Sequence, residues 1–373
     1  MVISRTPFRI SFFGGGTDYP AWYRRHGGAV LSTTIDKYCY ITCRYLPPFL
    51  EHKYRIAYSA LEARQSIDEI AHPAVREVLR YVRMDRGVEI HHDADLPARS
   101  GMGSSSAFTV GLLHAVRALQ GRMMSKHELA TEGIHIEQDI LRETVGSQDQ
   151  VSAAYGGLNH IVFHPNDEIS VHPMTLCHER MREVQSHLML FYTGIKRTAS
   201  VVASSYVEGI ESKERQLRRL QDLLADGLSV LGGAGPIRRF GELLHEAWQA
   251  KRSLSAKVSN SEVDRLYARA RRAGAVGGKV LGAGGGGFLL LFVPPRRRAA
   301  VQKALGRLIH VPFQFDFTGS QIIYWDPDRD YSDAERVRSG QSVRAFRELD
   351  ARGGTRTAPA RRTRRAAAPR RSR

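Results

Sequence analysis

The chain has 373 residues, 42% of them hydrophobic, enough to bury a sizeable core in one large domain or two. It has no run of about 18 apolar residues for a membrane span and no apolar signal-peptide segment. Its three cysteines (Cys39, Cys43, Cys177) make neither a disulfide framework nor a zinc pair, so the compartment reads as reducing and cytoplasmic. The net charge of +17 invites a nucleic-acid reading, but residues 351–373 hold nine arginines and no acid, leaving +8 on residues 1–350. That tail lacks core-forming residues and is expected to be disordered, either as a solubilising extension or as a weak contact for anionic surfaces.

Residues 2–13 alternate like a strand and run into Gly14-Gly-Gly-Thr-Asp18. Residues 28–46 and 54–59 are rich in β-branched and aromatic side chains and continue the sheet. Helical spacing over 73–85 precedes a strand at 88–92, then helices at 104–120, 126–143 and 147–155. Strands are expected at 158–163, 169–174 and 188–192, followed by one long amphipathic helix over 197–224 and a break at Gly232-Gly-Ala-Gly-Pro236. Helices over 237–254 and 262–273, a strand–loop–strand unit over 280–293, a helix over 296–308 and strands at 313–317 and 321–325 complete the chain. Paired strands with grouped helices indicate an α+β class, and no internal repeat is present.

The stretch Leu96-Pro-Ala-Arg-Ser-Gly-Met-Gly-Ser-Ser-Ser-Ala-Phe108 carries the most chemistry. A glycine turn entering an apolar helix presents free N–H groups and the positive end of the helix dipole, which suits a phosphate. The same pattern also describes a serine cap after a loop, and the stretch alone leaves both open. Gly282-Ala-Gly-Gly-Gly-Gly287 formally satisfies G-x-G-x-x-G, but Phe288–Val293 reads as a strand where a dinucleotide motif needs a helix. Gly278-Lys279 is not a Walker loop, no Gly-x-Ser-x-Gly elbow occurs, and the histidines lack zinc spacing.

Glu137 and Asp149 follow the serine loop, each either a site carboxylate or an ordinary helix-surface or capping acid. Mg²⁺ requires only one or two protein oxygens beside phosphate, a demand that Ser105 and Glu137 can meet. Asp149 is then free to take or hold the proton of a substrate hydroxyl. Arg9 either faces solvent from its strand or partners a nearby carboxylate or phosphate. Thr17 and Asp18 can bind sugar hydroxyls or cap a helix, and Lys196 and Arg197 can meet a substrate phosphate or be solvated.

Taken together, three motifs in order resemble the GHMP small-molecule kinases: Thr6–Asp18, Leu96–Ala107 and Lys279–Phe288, within a match spanning about residues 2–325. The resemblance implies an N-terminal ATP-binding domain over 1–180, like ribosomal protein S5 domain 2, and a ferredoxin-like C-terminal domain over 181–345, ahead of the 346–373 tail. It implies ATP on Pro97, Ser100, Gly101, Met102, Gly103, Ser104, Ser105 and Ser106, and Mg²⁺ on Ser105 and Glu137. It assigns Asp149 to the acceptor hydroxyl and Arg9 to Asp149. Substrate contacts are expected from Gly15, Gly16, Thr17, Asp18, Lys196, Arg197, Gly284, Gly285 and Gly286. Galactokinases carry Gly-Glu-His-Thr-Asp in the first motif. The Gly-Gly-Gly-Thr-Asp form here resembles the D-glycero-D-manno-heptose 7-phosphate kinases, as does Tyr192–Ser200. The implied partners are a sugar phosphate and ATP, in a monomer or homodimer, with nucleic acid contact confined to the tail. A kinase of fucose, galactose or a uronic acid, and a non-catalytic sugar or ATP sensor, remain alternatives.

Overall fold

Two long strands frame the molecule: β1 (Val2–Phe13) and β2 (Gly28–Tyr45), paired antiparallel with Arg9 opposite Thr34 and Ser11 opposite Ser32. The computed structural model describes residues 1–50, 52–98, 100–195, 199–327 and 331–339. Strand alternation puts Phe8, Ile10 and Phe12 on one face of β1 and Arg9 and Ser11 on the other, yet both faces are buried. Arg9 is therefore not the solvated strand cation that its sequence context allows.

Between these strands lies α1 (Pro20–His26), then β3 (Tyr54–Ala57), β4 (Leu61–Arg64), α2 (Pro73–Tyr81) and β5 (Val88–Ala94). Helices α3 (Ser104–Leu119), α4 (Lys126–His135) and α5 (Gln148–Tyr155) follow, with α3 laid against β1 and β2. The chain continues through β6 (Leu158–Phe163), β7 (Ile169–Pro173), α6 (His178–His187), β8 (Leu188–Tyr192), α7 (Ala199–Val207), α8 (Glu214–Gly232), α9 (Arg238–Arg252) and α10 (Ser261–Ala273). It ends with β9 (Gly277–Val280), β10 (Phe288–Phe292), α11 (Arg298–Ala304), β11 (Ile309–Val311), β12 (Phe315–Asp316), β13 (Gln321–Trp325) and α12 (Ser332–Ser339).

The first sheet runs β13-β1-β2-β5-β3-β4, with β12 and β6 also on β2 and β7 on β6. The second runs β11-β8-β10-β9, all antiparallel. A strand, helices, two strands, a helix and a strand in chain order, with the strands laid side by side as β11-β8-β10-β9, give the ferredoxin-like arrangement. The class is α+β, as the grouping of elements indicates. Because β12 and β13 return to the first sheet, residues 315–325 of the C-terminal part are hydrogen-bonded to strands of the N-terminal part. An aromatic chain ties the two sheets: Phe240 of α9 meets Phe12 at 5.5 Å, Phe13 at 5.1 Å and Phe292 at 5.9 Å.

Four local departures have physical causes. The helix expected over 197–224 is two helices, because Gly209 sits at φ 78° and ends the first. The helix expected over 126–143 leaves α geometry at His135 and makes a π turn over Ile136–Ile140. Helix α6 escapes periodicity because it buries only Val184, and α1 because it is a seven-residue segment. Residues 346–373, Lys196 and Arg197 lie outside the described residues.

Candidate active site

Gly103 precedes α3 in a left-handed conformation (φ 72°), and no side chain caps the helix. The simple serine-cap reading of the loop therefore fails, and the helix start keeps N–H groups for an anion. Two backbone links hold the loop: Arg9 donates its N–H to Met102 O at 3.1 Å, and Phe288 donates to Ser100 O at 3.2 Å. Gly101 (φ 81°) and Gly282 (φ 66°) touch backbone to backbone, and a Cβ on Gly282 would stand 2.7 Å from Gly101 Cα. Any side chain at either position separates the loops, so glycine is required there. Met102 is buried and Pro97 exposed, while the buried Ser100 hydroxyl has no hydrogen-bond partner among the described residues.

Arg9 reaches up from β1 and forks onto Asp149 at the start of α5, Nε to Oδ1 at 2.7 Å and Nη2 to Oδ2 at 2.8 Å. Its third donor, Nη1, holds Gly101 O at 2.7 Å. The guanidinium is thus fully oriented by the carboxylate and the Gly101 loop together. Asp149 remains 24% exposed and abuts the helix cap, since a Cβ on Gly103 would lie 3.4 Å from its Oδ2. A reacting hydroxyl can reach this carboxylate beside the N-terminus of α3.

Glu137 lies fully buried on the π turn, a geometry that recurs where a helix must aim one side chain inward. Its Oε2 accepts from Ser106 Oγ at 2.7 Å and from Gln150 Nε2 at 2.5 Å, and its Oε1 accepts from Thr109 at 2.8 Å. Burial nevertheless pushes the carboxyl up to about 7, against those donors. The hydroxyl brought to Glu137 belongs to Ser106, whereas Ser105 is exposed on the first turn. Ser105, expected to share a Mg²⁺ with Glu137, makes no hydrogen bond to it itself. Glu137 has no cationic partner among its hydrogen-bonded neighbours, so this buried carboxylate beneath the first turn of α3 fits a divalent cation.

The first glycine loop is largely committed to structure. Thr17 Oγ1 donates to Gly14 O at 2.9 Å and Ala29 O at 3.0 Å. Asp18 accepts from Gly16 N–H at 2.8 Å and Gln148 Nε2 at 2.9 Å, and burial raises its carboxyl. It thereby staples the first loop to the Gly146–Asp149 segment. Gly15 faces Ser11 Oγ and Gln148, while Gly16 packs against Leu217 and Leu254. In the third loop Gly284 packs on Val258, Gly285 is held by Val258 O and Asn260, and Gly286 lies against Ile195. The glycines expected to touch substrate there make close protein contacts.

With that geometry in place, residues 69–157 match the GHMP kinases N terminal domain and residues 220–310 the GHMP kinases C terminal. The chain belongs to the GHMP kinases. It is 27% identical over 333 residues to the D-glycero-alpha-D-manno-heptose 7-phosphate kinase of Campylobacter jejuni subsp. jejuni, covering 86% of this chain and 98% of that protein. A crystal structure of a D-glycero-D-manno-heptose 1-phosphate kinase from Bacteriodes thetaiotaomicron superposes with a TM-score of 0.72 at 25% identity, over 87% of this chain and all (100%) of that one. Lactococcus lactis galactokinase complexed with galactose shares the fold, with a TM-score of 0.67 at 18% identity over 86% of this chain and 94% of that one. As a GHMP kinase the protein is an ATP-using phosphotransferase with a hydroxyl acceptor. Among the described residues no helix is long and apolar enough to cross a membrane.

Two cations of this GHMP kinase escaped sequence reasoning. Lys251 Nζ donates to Gly282 O at 2.5 Å, and Lys279 Nζ donates to Phe12 O at 2.9 Å; both side chains are buried. Burial lowers the Lys251 ammonium to about 8 and that of Lys279 well below its ordinary range. A signal for Lys251 was present, because it continues the buried α9 stripe of Phe240, Leu243, Leu244, Ala247 and Trp248 at helical spacing. A lysine on a core stripe calls for a partner. Tyr19 and Tyr206 join hydroxyls at 3.2 Å nearby, both raised by burial and by the charges of Asp18 and Asp149.

Proposed function

We propose that this GHMP kinase phosphorylates the anomeric hydroxyl of D-glycero-D-manno-heptose 7-phosphate, giving the 1,7-bisphosphate for nucleotide-activated heptose synthesis. The observation that carries the chemistry is Asp149, fixed by Arg9 and set against the cap of α3. The first-motif sequence Gly14-Gly-Gly-Thr-Asp18 and the heptose kinase relatives support the choice of sugar.

In this reading the acceptor oxygen forms its bond to the γ-phosphorus as the bond to the ADP oxygen breaks. Asp149 accepts the hydroxyl proton, or holds it until transfer, while Arg9 keeps the carboxylate aimed. The α3 N–H groups meet the charge growing on the equatorial oxygens, and the triphosphate runs along Ser100–Ser106. Glu137, with Ser105 on the first turn of α3, would hold Mg²⁺, which would offset the phosphate charge. Lys196 and Arg197 are assigned to the substrate's own phosphate. Cytoplasmic residence is supported by Cys39, Cys43 and Cys177, all free thiols.

The test is an ADP-release screen over free and phosphorylated heptoses, fucose, galactose and uronic acids, with NMR of the product. Heptose 7-phosphate is expected to give the highest kcat/KM and a new phosphate at C1. Turnover of heptose 1-phosphate or of a free hexose at least about tenfold more efficient than this would refute the assignment.

A further inference from the structure

Lys251, Lys279 and Arg9 put three buried cations into one seam, opposed by two carboxylates, Asp18 and Asp149. Desolvating an ammonium is expensive, and an apolar residue would complete the α9 stripe at no such cost. Lys251 instead spends its charge on one contact, the Gly282 carbonyl at 2.5 Å. Gly282 is the residue whose backbone meets Gly101, and Gly101 O is the acceptor that orients Arg9 on Asp149. A continuous relay therefore runs from α9 through the third loop and the phosphate loop to the catalytic pair.

We propose that Lys251 is a positioning residue for phosphoryl transfer: its ammonium pins the Gly282 carbonyl and so locks the third glycine loop against Gly101, fixing the carbonyl that aims Arg9 at Asp149. This assignment rests on the kinase reading above. The groups facing Lys251 are Arg9 on β1, Asp18 in the first loop, Asp149 on α5 and Lys279 on β9. The two carboxylates favour its charged form; the two cations and burial oppose it. The pin is therefore charge-assisted below about pH 8 and weakens as the ammonium loses its proton above it.

The pH dependence of kcat/KM reports groups of the free enzyme. Wild-type kcat/KM is expected to fall above about pH 8, and Lys251→Arg, whose guanidinium stays charged, is expected to lose that fall while remaining active at pH 7. Lys251→Met is expected to lose about 100-fold in kcat/KM at pH 7, mostly in kcat, the scale of a roughly 1 Å misplacement of reacting groups. A Lys251→Arg profile with an unmoved alkaline limb, or a Lys251→Met enzyme within about threefold of wild type, overturns the proposal. A purely structural lysine would change stability and leave the limb where it was.

Amide exchange read by mass spectrometry separates this idea from the choice of reaction. Segments 100–103 and 282–287 are expected to exchange faster together in Lys251→Met, and unchanged exchange in both refutes the relay even if no acceptor is found. Should Lys251→Met not fold, protection of the two segments in the wild type at pH 7 and pH 9, each corrected for the base-catalysed intrinsic rate, makes the same measurement, and unchanged protection refutes the relay.

Discussion

Removing the Asp149 carboxylate tests the site most directly, because its two partners differ in their access to water. Arg9 is 5% exposed in its side chain and Asp149 24%. In Asp149→Ala the guanidinium keeps only Gly101 O and loses two bonds of 2.7 and 2.8 Å. Charge-assisted bonds contribute about 1.5–3 kcal/mol each, and a buried ion stripped of its partner costs about 3–5 kcal/mol. The variant is therefore expected to be less stable by about 3–5 kcal/mol in urea unfolding. Arg9→Met leaves a carboxylate that water can reach and that Lys251 still faces, so about 1–3 kcal/mol is expected. The double variant is expected to cost clearly less than the two single losses together, because no unpaired ion remains. Additive losses, or an Asp149→Ala protein within about 1 kcal/mol of wild type, would refute the reasoning. Turnover is expected to drop by orders of magnitude in Asp149→Asn while ATP still binds by calorimetry. Wild-type-like turnover would remove Asp149 from the mechanism.

Two further expectations concern Glu137 and the loop contact. In metal-free protein the Glu137 carboxyl rests at about 7 instead of its ordinary 4.5, so the folded chain holds that proton more tightly than the unfolded chain. The associated stability is fully present below pH 4.5 and is lost as pH rises through about 7, some 3 kcal/mol in all at about 1.36 kcal/mol per pH unit. Urea unfolding of Glu137→Gln in a chelator is expected to flatten that slope, and an unchanged slope would assign it elsewhere. Gly282→Ala puts a Cβ 2.7 Å from Gly101 Cα, whereas Gly121→Ala has a similar positive φ (76°) and nothing within 4 Å. Both bear the backbone strain of about 1–3 kcal/mol, so an additional loss of stability and of ATP affinity in Gly282→Ala alone measures the loop contact. Equal effects would show that the contact contributes nothing.

Much of the site was legible because its signals are local. A glycine turn entering an apolar helix, an arginine amid strand residues and a carboxylate at a helix start each leave a pattern in a short window. The structure brings Gly101, Arg9 and Asp149 together; the local patterns left that meeting open, and the family resemblance implied the Arg9–Asp149 pair. The strand–loop–strand form of residues 277–292 was equally plain, since Phe288–Phe292 is an unbroken apolar run.

What the sequence by itself determined, then, is the order of elements, the α+β class and the three glycine loops that resemble the family motifs. Only the tertiary structure decided which hydroxyl reaches Glu137, because helix phase and the π turn select Ser106 over its neighbour. It alone turned Asp18 and Gly284–Gly286 inward as staples, since those contacts join segments remote in sequence. It alone placed β12 and β13 in the first sheet and carried Lys251 to Gly282. Spacing along the chain records which face of an element is apolar; which partner that face meets is a long-range outcome of packing that no local period encodes.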